Sequence, residues 1–211
     1  MADAFRVVVL VSGSGSNLQS LIDTVHEPGA IEITRVVSSK DGVPALERAG
    51  RAGIPTSVVP LAGRGREERD AELADLVAAE RPHLVVLAGW MSILTGVFLD
   101  RFPDRVINLH PSLLPSFPGL HAIEQALAWG VQVTGVTVHF AEEVVDGGPP
   151  ILQEPVPVMY GDDAEALTSR IREVEHRLVP EAVRLFAAGR VVRDPVDRRR
   201  VRIVPGDVEV Q

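Results

Sequence analysis

Apolar residues in this chain follow two alternating rhythms. Short β-branched runs are hydrophobic at nearly every position, and between them lie longer windows in which apolar residues recur every three or four positions. The runs suit strands buried on both faces, and the three-to-four spacing suits helices with one apolar stripe. Phe5–Val11 predicts the first strand, Asn17–Val25 the first helix and Ile33–Ser38 the second strand. A helix over Pro44–Ala52 carries Pro near its start, where a missing N–H costs little, and has Gly53 as its stop. Thr56–Val59 is the third strand and Gly63-Arg64-Gly65 a loop. Glu67–Glu80 then places Leu73, Leu76 and Val77 on one helical face before Pro82 ends it. His83–Ala88 reads as strand four, and the run from Val106 through Leu109 as strand five. His121–Trp129 reads as a helix, with Val133–Phe140 and Ile151–Val158 as further strands. Asp163–Ala188 is the last long helix, which Pro180 is expected to kink or divide. This alternation predicts an α/β fold, a largely parallel sheet covered by helices on both faces.

Composition bounds that reading. The chain has 211 residues, 45% hydrophobic and 24% charged, enough for one sizeable core. No internal repeat or Gly-, Ser- or Pro-rich linker divides it. The absence of cysteine excludes disulfides, thiolate metal sites and a cysteine nucleophile, and suits a reducing cytosol. No apolar run approaches the roughly 20 residues of a membrane span. The start Met1-Ala2-Asp3-Ala4-Phe5 lacks the basic region of an export signal. A soluble cytoplasmic protein with no membrane partner is expected. The net charge of −8 argues against a broad nucleic-acid surface. Arg198-Arg199-Arg200 and Arg202 make the tail locally basic, which a solvated tail explains.

The segment Asn108-Leu109-His110-Pro111-Ser112-Leu113-Leu114-Pro115 offers the clearest chemistry. Side chains two apart on a strand share a face, so Asn108 and His110 are expected in one pocket. Pro111 pushes His110 towards extended geometry, and Pro115 and Pro118 stiffen the following loop. An amide donor beside an imidazole is what acyl chemistry uses to hold a developing oxyanion while a proton moves. An Asn capping a turn and a core His would leave the same trace. The loop Ser12-Gly13-Ser14-Gly15-Ser16-Asn17-Leu18 lies between a strand and a helix, where backbone N–H groups and the helix dipole can hold a phosphate. It lacks the third glycine of a dinucleotide fingerprint and the Lys of a P-loop, so a phosphomonoester fits better than NAD or ATP; a plain turn also fits. Asp146, in Asp146-Gly147-Gly148-Pro149 after Glu142-Glu143, is a general base, a partner that raises a histidine pKa, or an ordinary turn aspartate. Trp90-Met91-Ser92-Ile93-Leu94 follows strand four, where an apolar loop either receives a flat heteroaromatic ring or belongs to the core. His26, His83, His121, His139 and His176 show no metal spacing, and no metal is expected.

These segments, with Leu87-Ala88-Gly89, Phe117-Pro118-Gly119-Leu120-His121 and Val138-His139-Phe140, occur in one order, and together they closely resemble the phosphoribosylglycinamide formyltransferase family. The resemblance runs from about Phe5 to about Arg190, which makes 1–190 a formyltransferase domain and 191–211 a C-terminal tail packed on it or extending from it. The Asn-x-His-Pro-Ser-Leu-Leu-Pro segment is shared by folate-dependent formyltransferases in general; the Ser-Gly-x-Gly-Ser-Asn loop marks the glycinamide ribonucleotide branch. The resemblance implies a three-layer Rossmann-like fold with a mostly parallel sheet of about seven strands.

It also implies roles. Gly13, Ser14, Gly15, Ser16 and Asn17 would bind the phosphate of glycinamide ribonucleotide. Asn108 would hydrogen-bond the formyl oxygen, His110 stabilise the oxyanion and take part in proton transfer, and Asp146 hold His110 cationic and relay the proton through water. Trp90, Met91, Ser92, Ile93 and Leu94, with Glu142, Glu143, Val144, Val145 and Asp146, would line the pterin pocket of 10-formyltetrahydrofolate, mainly through backbone groups. Arg66 matches a position associated with folate binding, Glu175 a carboxylate for the ribose hydroxyls, and Arg172, one turn earlier, could reach the phosphate. Many relatives carry a basic residue where this chain has Ser92. The two substrates are the partners implied, without metal or nucleic acid, and a homodimer stays open. The length leaves no room for the tRNA-holding or regulatory domains of two related enzymes. The alternatives are 10-formyltetrahydrofolate deformylation and a non-catalytic phosphate-binding α/β module, which would leave Asn108, His110 and Asp146 unexplained.

Overall fold

The computed structural model of the chain describes residues 3–60 and 63–206. Its strands and helices, in chain order, are β1 (Phe5–Val11), α1 (Ser16–Thr24), β2 (Ile31–Ser38), α2 (Pro44–Arg51), β3 (Thr56–Val58), α3 (Arg66–Ala79), β4 (Leu84–Leu87), α4 (Gly96–Leu99), β5 (Val106–His110), α5 (Ala122–Trp129), β6 (Val133–Phe140), β7 (Pro150–Pro157), α6 (Ala164–Ala187), β8 (Val191–Arg193) and β9 (Val201–Ile203). Val7, Val9 and Val11 of β1 enter one buried cluster while Val8 and Leu10 enter the other. Two apolar faces at the strand's two-residue period are why this run reads as unbroken hydrophobic sequence. Residues of α1, α2, α5 and α6 pack into the first cluster, and residues of α3 and α4 into the second. The protein is therefore three layers, as expected.

Seven strands form the sheet in the order β3-β2-β1-β4-β5-β6-β7. The first five are parallel; β6 runs antiparallel to β5, and β7 antiparallel to β6 and so in the direction of the first five. The chain steps outward from β1 to β3 and then returns to the other side of β1 with β4. Strand order thus reverses between β1 and β4, and the loops leaving their carboxyl ends part to leave a crevice. Among the described residues, no helix is long and apolar enough to cross a membrane.

Three expectations need correction. The four-residue α4 was not anticipated, because one turn is too short to show a period. Pro180 does not divide α6, which runs from Ala164 to Ala187. An interior proline costs about 3 kcal/mol, but Leu178, Val179, Ala182 and Val183 around it are buried; burying each Val or Leu returns roughly 1.5–3 kcal/mol. The basic tail is not simply solvated either. β8 and β9 pair as an antiparallel hairpin, with Val191, Val201 and Ile203 against the core. Arg193 donates to Asp104 at 2.8 Å and to Glu142, and Arg198 reaches both Asp104 oxygens at 2.5 and 2.6 Å. Only Arg200 and Arg202 fit the solvated picture, both exposed. Residues 207–211 of the expected tail lie outside the described residues.

Candidate active site

The crevice holds a cavity of about 560 Å³. The loops after β1, β4 and β5 meet there with the β6–β7 connection and one turn of α6. Asn108 and His110 both line it, as their spacing on β5 requires. The antiparallel register sets Asn108 opposite His139 of β6. The β6–β7 loop then folds back and brings Asp146, at φ 50°, to the same point.

Asp146 is the hub of this cluster. Its Oδ2 accepts from the Gly119 N–H at 2.7 Å and lies 3.2 Å from His110 Nδ1. Its Oδ1 accepts from Asn108 Nδ2 at 3.3 Å and lies 3.6 Å from His139 Nε2. His110 Nε2 sits 2.7 Å from the Phe117 carbonyl. Both partners of that ring only accept, so it satisfies both only when each nitrogen carries a proton. His139 Nδ1 lies 2.8 Å from the Phe140 carbonyl, and its Nε2 lies 3.1 Å from Asn108 Nδ2. Burial pushes the Asp146 carboxyl up, but the His139 and Gly119 hydrogen bonds and the charges of His110 and His139 outweigh burial and hold it below the ordinary carboxylate value. Asp146 is thus built to stay ionised beside two imidazoles.

Around the hub, two loops are tied together. The Ser12 hydroxyl pairs with that of Ser39 at 2.7 Å and accepts the Met91 N–H at 2.9 Å, which fixes the β1 loop to the β4 loop. Trp90 and Leu94 belong to the second core cluster while Met91 and Ile93 are exposed, so the apolar loop is both core and cavity wall. Glu142 and Glu143 line the cavity, yet their carboxylates are spent inside the protein, on Arg193 and on the Gly96 N–H at 2.6 Å. Their side chains hold the loop that carries Asp146. Arg199 also reaches this loop, at the Gly147 carbonyl, 3.3 Å away.

The β1 loop contributes Asn17 alone to the cavity wall; Gly13, Ser14, Gly15 and Ser16 stand outside it. Gly15 adopts φ 72°, and a Cβ there would lie 2.7 Å from Ala45. The close approach it permits is to α2. α1 begins with no side-chain cap, which leaves its first-turn N–H groups without one. Asn17 Nδ2 donates to Glu175 at 3.2 Å. Burial raises the Glu175 carboxyl above its usual value, against the opposing effects of Asn17 and the Arg172 charge. Arg172 is exposed and off the cavity wall, as is Val144. Arg66, Ser92 and Val145 are on the wall.

Comparison with known proteins shows the family of the chain. Residues 5–183 match the formyl transferase family. The chain belongs to the formyl transferase family. It is 43% identical over 188 residues to phosphoribosylglycinamide formyltransferase of Escherichia coli (strain K12), covering 88% of this chain and 89% of that one. It is 49% identical over 189 residues to the trifunctional purine biosynthetic protein adenosine-3 of Homo sapiens, of which it spans only 19%. Among solved structures, glycinamide ribonucleotide transformylase 1 from Symbiobacterium toebii superposes with a TM-score of 0.90 at 47% identity, over 97% of this chain and 96% of that one.

His139 and Arg69 on the cavity wall, and Arg48 beside the β1 loop, carry no role in the sequence pattern. His139 was passed over because it lacked metal spacing. Its place on an alternating strand, one residue from the end of the run, is the available signal, although the register against Asn108 is not. Arg48 donates to the Ser14 carbonyl at 2.9 Å and to Gln19 at 3.0 Å, so a cation flanks the β1 loop from α2. No sequence motif marks it.

Proposed function

We propose that this formyltransferase moves the formyl group of 10-formyltetrahydrofolate to the amine of glycinamide ribonucleotide in purine biosynthesis. The observation that carries this reading is the meeting of Asn108, His110 and Asp146, 38 residues apart from first to last, at the wall of one cavity. The folate ring is assigned to the side walled by Trp90–Leu94 and the Glu142–Asp146 loop, with Arg66 near its tail. Glycinamide ribonucleotide is assigned to the side of Asn17 and Glu175, with its phosphate at the start of α1. There Gly13–Asn17, Arg48 and Arg172 supply N–H groups and positive charge.

In the reaction, the neutral amine attacks the formyl carbon and the carbonyl oxygen becomes an oxyanion. Asn108 turns one amide N–H from its internal partners to that oxygen, and the His110 imidazolium supplies the second donor by turning its Nε2–H from the Phe117 carbonyl while Nδ1–H stays on Asp146. Asp146 keeps His110 charged and oriented. As the tetrahedral intermediate collapses, the C–N10 bond breaks, N10 takes the proton that the amine gives up, and no covalent bond to the enzyme forms. Preorganised donors of this kind are typically worth on the order of 100- to 1,000-fold each in turnover. The test is the absorbance change on folate product formation, measured with and without glycinamide ribonucleotide. Transfer requires both substrates, whereas an equal rate without the ribonucleotide would establish deformylation.

A further inference from the structure

Buried hydrogen-bond donors without partners lie at the cavity wall made by α3 and the loop after β4. Arg69 is completely buried and lines the cavity. All its polar contacts run through Nη2, to the Asp70 carboxylate at 2.5 Å and to the Ile93 carbonyl at 2.9 Å. Nε and Nη1 are buried with no partner, which leaves three of the five guanidinium N–H groups unused. The guanidinium carbon lies 5.7 Å from the ring centroid of Trp90, whose indole N–H is likewise buried and unpaired. Native proteins seldom leave neighbouring buried donors unsatisfied without a use for them.

Charge decides what they take. Asp70, also completely buried, already neutralises Arg69, and its other oxygen is held by the Thr95 N–H at 2.7 Å and hydroxyl at 2.8 Å. A ligand carboxylate placed here would be a second negative charge in a dry site, with a large desolvation cost. A neutral acceptor carries no such cost. The same contacts fix Ile93 and Thr95, so the wall is held in place before a ligand arrives.

We propose that Arg69 and the indole N–H of Trp90 are specificity-determining residues of the formyl-folate site, and that they take neutral acceptor atoms, the oxo group and ring nitrogens of its bicyclic ring. This rests on the folate reading above and adds two side-chain contacts to it. Calorimetric titration with 10-formyltetrahydrofolate, and separately with glycinamide ribonucleotide, tests it on the wild type, Trp90→Phe and Arg69→Lys. Trp90→Phe keeps a ring and removes the indole N–H; Arg69→Lys keeps a cation and removes the Nε and Nη1 donors of the planar fork. Each is expected to weaken folate binding roughly tenfold while ribonucleotide binding stays within about twofold. With a folate analogue whose acceptor atoms are replaced by C–H, wild type and variants bind alike; a merely structural role would give the same loss with both ligands. Unchanged folate affinity in both variants, or an equal loss with the analogue, overturns the proposal. If Arg69→Lys also lowers the unfolding temperature, Trp90→Phe decides. Failure of the wild type itself to bind the formyl-folate would refute the folate assignment instead.

Discussion

Replacing Asp146 by Asn preserves size but not the hydrogen-bond pattern, and the structure gives the cost. Oδ2 receives the Gly119 N–H at 2.7 Å and faces His110 Nδ1 at 3.2 Å, while Oδ1 faces Asn108 Nδ2 at 3.3 Å. An amide offers one oxygen and one NH₂. With the oxygen towards Gly119 and His110, the NH₂ confronts the Asn108 NH₂; turned over, it confronts the Gly119 N–H. The side chain is only 8% exposed, so water does not relieve either arrangement. A lost charge-assisted hydrogen bond costs about 1.5–3 kcal/mol, and a buried unsatisfied group about 1–3 kcal/mol more. The charged bond to His110 is the part that acts on the transition state, and 1.5–3 kcal/mol there lowers turnover roughly 10- to 150-fold. The unsatisfied group falls mainly on folding, within the 5–15 kcal/mol typical of a stable domain. The assay is kcat and both KM values from folate product absorbance, with a denaturant curve for each protein. Turnover within twofold of wild type would refute the coupling of Asp146 to His110 and return Asp146 to a turn residue.

Four further outcomes follow from the same geometry. Gly15→Ala should lose roughly 2–5 kcal/mol of stability, from positive φ and the contact with Ala45, whereas Gly13→Ala, whose Cβ meets nothing within 4 Å, should lose under about 1 kcal/mol; equal denaturation midpoints would contradict this. Glu175 is raised by burial, so its contribution to stability is present below the ordinary carboxylate range and is lost as pH rises through the raised value. Glu175→Gln should therefore flatten that part of the stability curve and raise KM for glycinamide ribonucleotide. His176 is lowered by burial and by the Arg172 charge, so stability should fall as pH drops below about 6.5, and His176→Gln should remove that fall in pH-dependent melting. Arg193→Ala releases Asp104 and Glu142 and should cost on the order of 1 kcal/mol, because these carboxylates are about a third exposed and water screens them, while raising KM for the folate through the loosened Asp146 loop.

Much of this was legible in the chain itself. Strands buried on both faces give unbroken apolar runs, and the two-residue period alone placed Asn108 beside His110. What local pattern could not supply was register and long-range closure. His139 reaches Asn108 only through the antiparallel pairing of β6 on β5, and Asp146 reaches His110 only because its loop folds back at positive φ. The resemblance anticipated the second meeting; spacing did not. Nothing in the local pattern marks Arg69, which only the packing of α3 buries. Arg198 and Arg199 read as solvated because their partners, Asp104 and the Gly147 carbonyl, lie far back in the sequence. The tertiary burial that keeps α6 undivided through Pro180 is likewise invisible in the local pattern.

The most direct measurement follows the formyl carbon itself. With 10-formyltetrahydrofolate carrying ¹³C in the formyl group, glycinamide ribonucleotide and catalytic amounts of enzyme, ¹³C NMR should show the label leave N10 and appear as a formamide on the glycinamide nitrogen, in step with folate product. Asn108→Ala and His110→Ala should slow that appearance by on the order of 100-fold or more. Label accumulating as free formate at the same rate with and without the ribonucleotide, or unchanged transfer in either variant, would contradict formyl transfer by this site.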